Sequence, residues 1–294
     1  MRKLGMVLSL AVLWPAGPVG GLWAQLYAPN AAGVSMGHLH YNVRDMEANR
    51  KFWIALGAQP VLLGTREVLK FPSVMVLLTQ AQSPAATAAG TEGSVVNHVA
   101  FRVPNVLQML DRLKAMGYKT ELSSSGTGKV GSVYGPEDER IEFMEDLSIN
   151  VKFVPDTGQY SPPSKMTVPI TLHHIHFYVP ETDVAKIKAW YVKLFGGIPG
   201  KRHKTVEPPY EAADLPGVNL NVSGVPAQLP PIKGRRLDHI GFEIKDLEAF
   251  CKKLEASGVK LDRPYTKLPS GIANAYLTDP WGVNIELTEG LNRL

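Results

Sequence analysis

The stretch Leu172–Val179, LHHIHFYV, decides the fold, because it recurs in altered form three more times. Its relatives are GHLHYNV (Gly37–Val43), NHVAFRV (Asn97–Val103) and DHIGFEI (Asp238–Ile244). Each carries a histidine five residues before a closing Val or Ile: His38, His98, His174 and His239. Alternation of apolar and polar residues predicts strands with two chemically different faces. In the third copy Ile175, Phe177 and Val179 belong against a helix, while His174, His176 and Tyr178 point together to the other side. A lone histidine on a strand is far more often hydrogen-bonded than ligating. Here, of eight histidines, only His203 lies outside the four stretches, and imidazole is the commonest protein metal ligand.

Helices are predicted after these strands. Asp45, Asn105 and Asp246 are candidate N-caps, and Gly57, Gly117, Gly196 and Gly258 stand where a left-handed helix end wants glycine. Val106, Met109, Leu110, Leu113 and Met116 keep helical spacing, as do Leu247, Phe250, Cys251 and Leu254. Three short strand-like runs follow each helix, so the unit is β-α-β-β-β. Copies one and three share His-x-His and a helix Trp (Trp53, Trp190), while copies two and four share a single histidine and a last strand ending Ile-Glu-hydrophobic. The expected fold class is therefore α+β, with four modules in two pairs. Small-residue or proline-rich connectors at 81–93, 156–169 and 224–234 separate the modules. The expected domains are 34–155 and 170–290, each holding two modules. A repeat of mixed helix and strand, present only four times, argues against a solenoid or propeller.

At 294 residues the chain can bury two domain cores. Apolar content of 45% and charged content of 20% are those of a globular protein. A net charge of +4, part of it from Arg2 and Lys3, is too mild and scattered for a nucleic-acid partner. The run Lys201, Arg202, His203, Lys204 reads as a solvated turn. Residues 1–25 read as a signal peptide: Arg2 and Lys3 are charged, Leu4–Trp14 is apolar, and a small-residue stretch leads to a cleavage region near Ala24. The apolar run is short for a membrane span, which needs about 20 residues. The expected location is periplasmic or secreted, with no membrane association after cleavage and a retained anchor as the alternative. Cys251, the single cysteine, is expected to be buried on its helix.

The fourth copy ends TDPWGVNIELTE (Thr278–Glu289), with Asn284, Glu286 and Thr288 on one strand face; the second ends YGPEDERIEFMED, with Glu142 six residues after its proline. A glutamate between large apolar neighbours on a short strand calls for a partner. With two histidine strands per half, each would complete a 2-His-1-carboxylate set suited to Fe(II), Mn(II) or a similar divalent ion. Zn(II) or Ni(II) are the alternatives.

The four strand starts together with DPWGVNIEL resemble the vicinal oxygen chelate superfamily, which includes glyoxalase I, extradiol dioxygenases, and fosfomycin- and bleomycin-resistance proteins. The resemblance spans nearly all of Val34–Glu289. It implies that each module pair forms a half-open barrel around a metal pocket, with ligands from the first-strand histidines and the last-strand glutamate. One half would then use His38, His98 and Glu142, and the other His174, His239 and Glu286. Glyoxalase I has a second glutamate where this chain has Leu77 and Asn221. Extradiol dioxygenases have a tyrosine ten residues before the glutamate, and Tyr276 stands there; Ser132 holds that place before Glu142. His40 and His176, two positions after proposed ligands, read as proton-transfer groups, extra ligands or hydrogen-bonded walls. The second half is expected to be the reactive one, since it would combine Tyr276, His176 and Asn221. The implied function is an exported metal-dependent enzyme acting on a small molecule with adjacent oxygens, by dioxygenase-type chemistry. A glyoxalase-like lyase or isomerase and a non-catalytic small-molecule binder are the alternatives.

Overall fold

The computed structural model describes residues 26–82, 90–123, 130–145, 152–153, 166, 168–203 and 210–293. The leader and most of the 156–169 connector lie outside the described residues. Module one runs β1 (Val34–Val43), α1 (Met46–Leu56), β2 (Gln59–Leu63), β3 (Arg66–Lys70) and β4 (Met75–Gln80). Module two runs β5 (Val96–Val103), α2 (Val106–Ala115), β6 (Lys119–Leu122), β7 (Val130–Tyr134) and β8 (Arg140–Glu145), followed by the two-residue β9 (Lys152–Phe153). Module three comprises β10 (Thr171–Pro180), α3 (Val184–Phe195), β11 (Ile198–His203), β12 (Tyr210–Leu215) and β13 (Val218–Val225). Module four comprises β14 (Leu237–Ile244), α4 (Leu247–Ala256), β15 (Arg263–Lys267), β16 (Ala273–Thr278) and β17 (Asn284–Glu289).

Local signals act as their chemistry requires. Asp45, Asn105 and Asp246 each accept a backbone N–H from the first turn of α1, α2 and α4. Gly57, Gly117, Gly196 and Gly258 all have positive φ. Cys251 is buried on α4. Lys201, Arg202 and His203 belong to β11, pairing with β12 and β9, and are not a turn; Lys204 lies outside the described residues.

The modules pair across the two halves of the chain. One sheet, sheet A, has the order β15-β16-β17-β14-β1-β4-β3-β2, so modules one and four share it. The other, sheet B, has the order β6-β7-β8-β5-β10-β13-β12-β11-β9 and joins modules two and three. At each centre two histidine strands run antiparallel, β1 with β14 and β5 with β10. The glutamate strands β17 and β8 lie parallel outside them. Neither sheet closes into a barrel. The expected ranges 34–155 and 170–290 thus contribute one module to each sheet.

Within a half, modules touch through turns and helices instead of strands. Asp279 of the DPWG turn accepts from the backbone of Trp281 and Val283 and from the Tyr191 hydroxyl on α3 at 3.0 Å. The Trp281 indole donates to Asp183 at 3.1 Å, just before α3. In the first half Glu137, in the turn before β8, accepts from the N–H groups of Arg44 and Asp45 and from Asn49 on α1; it also pairs across the halves with Arg236, just before β14. The backs of both sheets and all four helices share one apolar core. Trp53 of α1 and Phe71 meet Phe101 of sheet B, and Phe195 of α3 meets Phe242 of sheet A. Among the described residues no helix is long and apolar enough to cross a membrane.

Candidate metal centres

The front of each sheet carries a histidine cluster. On sheet A, His38 and His40 come from β1, His239 from β14 and Glu286 from β17, with one ligand atom of each within 4.8 Å of the others. The Nε2 atoms of His38 and His239 stand 3.0 and 2.9 Å from the same Glu286 oxygen, Oε2. Asn274 on β16 donates to the other oxygen at 3.0 Å. Behind His239, Asp238 meets Nδ1 at 2.6 Å. His40 lies beside the triad, its ring 4.4 Å from that of His239 and its Nε2 2.7 Å from Thr79 Oγ1 on β4. Tyr276 stands opposite Glu286 in register, its ring 5.7 Å from that of His239.

Backbone register makes room for these rings. The β1–β14 pairing shifts on either side of His38–His40, and the β10–β5 pairing shifts on either side of His174–His176. Such irregularities re-aim side chains out of the pleat. His38 faces Gly241 and His174 faces Ala100. A Cβ at Gly241 would overlap the His38 imidazole, so glycine there is what admits the ring.

On sheet B the cluster is His98 from β5 and His174 and His176 from β10. The Nε2 atoms of His98 and His174 are 3.2 Å apart, and each is 3.7 Å from Glu142 Oε1. Asn97 meets His98 Nδ1 at 2.8 Å, and His176 meets Ser223 at 2.8 Å. Arg140 stands 3.8 Å from the second Glu142 oxygen and is hydrogen-bonded to Ser132 and Asn97.

The sequence profile of the Glyoxalase/Bleomycin resistance protein/Dioxygenase superfamily matches residues 35–143 and 171–287. The chain belongs to this superfamily. No curated protein matches it in sequence. In structure it is similar to glyoxalase I from Zea mays at 15% identity and TM-score 0.62, over 87% of this chain and 92% of the maize enzyme. A mutant form of that enzyme matches at 17% identity and TM-score 0.63, over 87% and 94%. A candidate dioxygenase from Bacillus subtilis matches at 13% and 0.54, over 90% and 86%. At these identities the likeness is one of fold.

In this superfamily member the expected residues converge, but in different sets. His38 clusters with His239 and Glu286, not with His98 and Glu142; His174 joins His98 and Glu142. The correction follows from strand pairing, because β1 hydrogen-bonds to β14 and β5 to β10. It also undoes the ranking of the halves. Tyr276 shares its site with His40 and Leu77, whereas His176 and Asn221 share theirs with Ser132.

The donor set on sheet A fits a divalent ion. A carboxylate and imidazoles bound at about 2.1 Å bring neighbouring donors roughly 3 Å apart, as Glu286 Oε2 and the two Nε2 atoms are. Burial opposes charge on Glu286, but hydrogen bonds from His239 and His38 hold its carboxyl well below the usual range. Burial likewise opposes charge on His239, yet Asp238 and Glu286 raise it. Burial lowers His38 against the pull of Glu286. Burial, then the neighbouring His239 and His38, push His40 down to about 2, so that it is neutral.

Asp238, Gly241, Asn274 and Thr79 escaped the sequence reading. Two of them had a signal: DHIG places an acid before the histidine and a glycine two after it, as NHVA places an amide and an alanine. The walls also differ. Met75, Leu77 and Thr79 line sheet A beside the histidines, whereas Asn219, Asn221 and Ser223 occupy the matching register on sheet B. The side-chain oxygens of Asn219 and Asn221 are buried without a hydrogen-bond partner.

Proposed function

We propose that this superfamily member is a metal-dependent enzyme whose reactive centre is the sheet A site, where His38, His239 and Glu286 hold a divalent ion. The observation that carries this is the contact chain Asp238–His239–Glu286–His38. A carboxylate behind a ligating histidine fixes its orientation and strengthens it as a donor. Sheet B has the amide of Asn97 in that place and Arg140 beside Glu142, both less favourable to a cation. When bound, the ion would take two adjacent oxygens of a small substrate and stabilise the charge developing on them.

The residues around the ion supply position and protons. Arg66 donates to Thr79 Oγ1 at 2.9 Å, and we take the tautomer in which the Thr79 hydroxyl donates to His40 Nε2. This places the His40 proton on Nδ1, an atom with no partner inside the protein. His40 is then a hydrogen-bond donor to a substrate oxygen. Tyr276, whose hydroxyl burial and the Glu286 charge keep protonated, is a second donor on the other side of the triad. Dioxygenase-type cleavage is the favoured chemistry, because Leu77 closes the place of a fourth carboxylate and three ligands leave positions for substrate and oxygen. Fe(II) or Mn(II) is the corresponding ion.

Oxygen uptake by metal-reconstituted protein with a panel of catechols tests this reading. Turnover of a hemithioacetal without oxygen uptake would replace it with the glyoxalase-like one, and ligand binding without turnover would leave a binding protein. The reading includes export with loss of residues 1–25, supported by the charged and apolar segments of the leader. Intact-mass measurement of protein from an exporting host tests that separately, and recovery of the full-length soluble chain would reject it.

A further inference from the structure

Two guanidinium groups reach the sheet A site from opposite flanks. Arg263, on the edge strand β15, stands opposite Tyr276, which stands opposite Glu286, so the three form one row across the face of the sheet. Its guanidinium lies over the Tyr276 ring at 4.7 Å. Arg66, on β3 at the far side, donates to Thr79 and to the Leu78 carbonyl, and its partial burial opposes its charge while the Glu286 carboxylate favours it. Among the described residues no carboxylate lies within ion-pair distance of Arg66 or Arg263. Both are exposed at the mouth of a site whose ligands are buried.

Sheet B provides an internal comparison. Glu121 replaces Arg263, standing opposite Ser132 as Arg263 stands opposite Tyr276. On sheet B an acidic residue thus stands where sheet A has Arg263. Beside the histidines, Met75 and Leu77 of β4 belong to a small apolar cluster with Val68, Leu26 and Leu291.

We infer that the sheet A site selects a chelating substrate with an apolar frame and a second, anionic group, carboxylate or phosphate, which Arg66 and Arg263 bind. This rests on the metal-chelate reading of the same site. Guanidinium groups suit such anions because their donors form a fixed planar fork. Thr79 and the Tyr276 ring hold the two arms in place beforehand, which lowers the entropy lost on binding.

The test is calorimetric binding to the full chain loaded with redox-inert Zn(II), without turnover. Two probe pairs are used, each a neutral chelator and its charged analogue: catechol with 3,4-dihydroxybenzoate, and acetohydroxamate with phosphonoacetohydroxamate. At least one charged analogue should bind about tenfold more tightly than its parent, and the larger preference identifies the anion. Arg66→Gln and Arg263→Gln should each reduce that preference by roughly threefold, while the parent changes by less than about twofold. Arg66→Lys should restore part of the loss, and the preference should shrink with added salt. Equal affinity of charged and neutral probes in the unmodified protein overturns the inference and leaves the chelate reading standing. Equal weakening of both members of a pair by Arg263→Gln also overturns it, since that is a structural effect. Binding of no probe overturns the chelate reading, and this inference with it.

Discussion

His38 and Glu286 are 248 positions apart in the chain, yet their side chains meet at 3.0 Å in a buried site. Every consequence of the cross-half pairing can be tested through that contact and its counterpart on sheet B.

If ligands are shared as the sheets dictate, His38→Ala with His239→Ala damages one site, while His38→Ala with His98→Ala damages both. Metal analysis of reconstituted protein should show the first double variant losing half of the bound ion and the second nearly all of it, because the first leaves only Glu286 on sheet A and the second leaves two ligands at each site, too few to hold a divalent ion well. Matching losses in the two double variants would contradict the assignment of His38 and His239 to one centre.

Gly241→Ala should displace the His38 ring. The expected result is loss of sheet A metal with the fold retained, at a stability cost of about 1–3 kcal/mol. Circular dichroism and metal content report the two effects separately, and normal metal content would show that the ring is not confined there.

Asp238→Asn keeps the shape of the group behind His239 and removes its charge. Metal affinity of the sheet A site should fall by about 10- to 100-fold, the usual effect of changing a ligand's outer partner. Competition with a chromogenic chelator measures it.

His40→Ala should lower turnover of an identified substrate by about 10²- to 10⁴-fold while metal stays bound, whereas His176→Ala should change it far less. Equal losses would place chemistry on both sheets.

Burial pushes the Glu139 carboxyl up to about 7, against roughly 4.3 for an unfolded glutamate. A folded pKa raised in this way favours the fold at low pH; that contribution is full below about pH 4 and is lost as pH rises through 7. Glu139→Gln removes the loss, so its stability relative to the parent should rise between about pH 5 and pH 8, by on the order of 1–3 kcal/mol. Urea denaturation at the two pH values checks this, and an equal difference at both would refute it.

The module, its caps and the identity of the ligands were legible because each depends on residues close in sequence: a histidine in an alternating strand, Asp45 or Asn105 before a helix, Glu286 after a DPWG turn. The partition of ligands was not. Copies one and three carry the same His-x-His strand, and copies two and four carry the same Ile-Glu ending. Pairing β1 with β5 would therefore satisfy the same local pattern as pairing it with β14. The choice is bound up with distant contacts such as Tyr191 with Asp279 and Asn49 with Glu137, which join the modules of a half through a helix and a turn. Arg66 and Thr79 were illegible for a similar reason, since a residue on β3 or β4 acquires a role only once the sheet places it beside His40.

Cross-half pairing also imposes an order on synthesis. A ribosome delivers all of modules two and three by Val225, so sheet B can close while module four is still unmade. Sheet A waits for Glu289. During that interval the flank of β1 that will receive β14 is an unpaired strand edge, the kind of surface that accepts wrong partners. The nearest of these is β5 of its own half, until β10 emerges to occupy it. The polypeptide thus offers β1 a competing partner early and its correct one late, and the pairing of β5 with β10 removes that competitor.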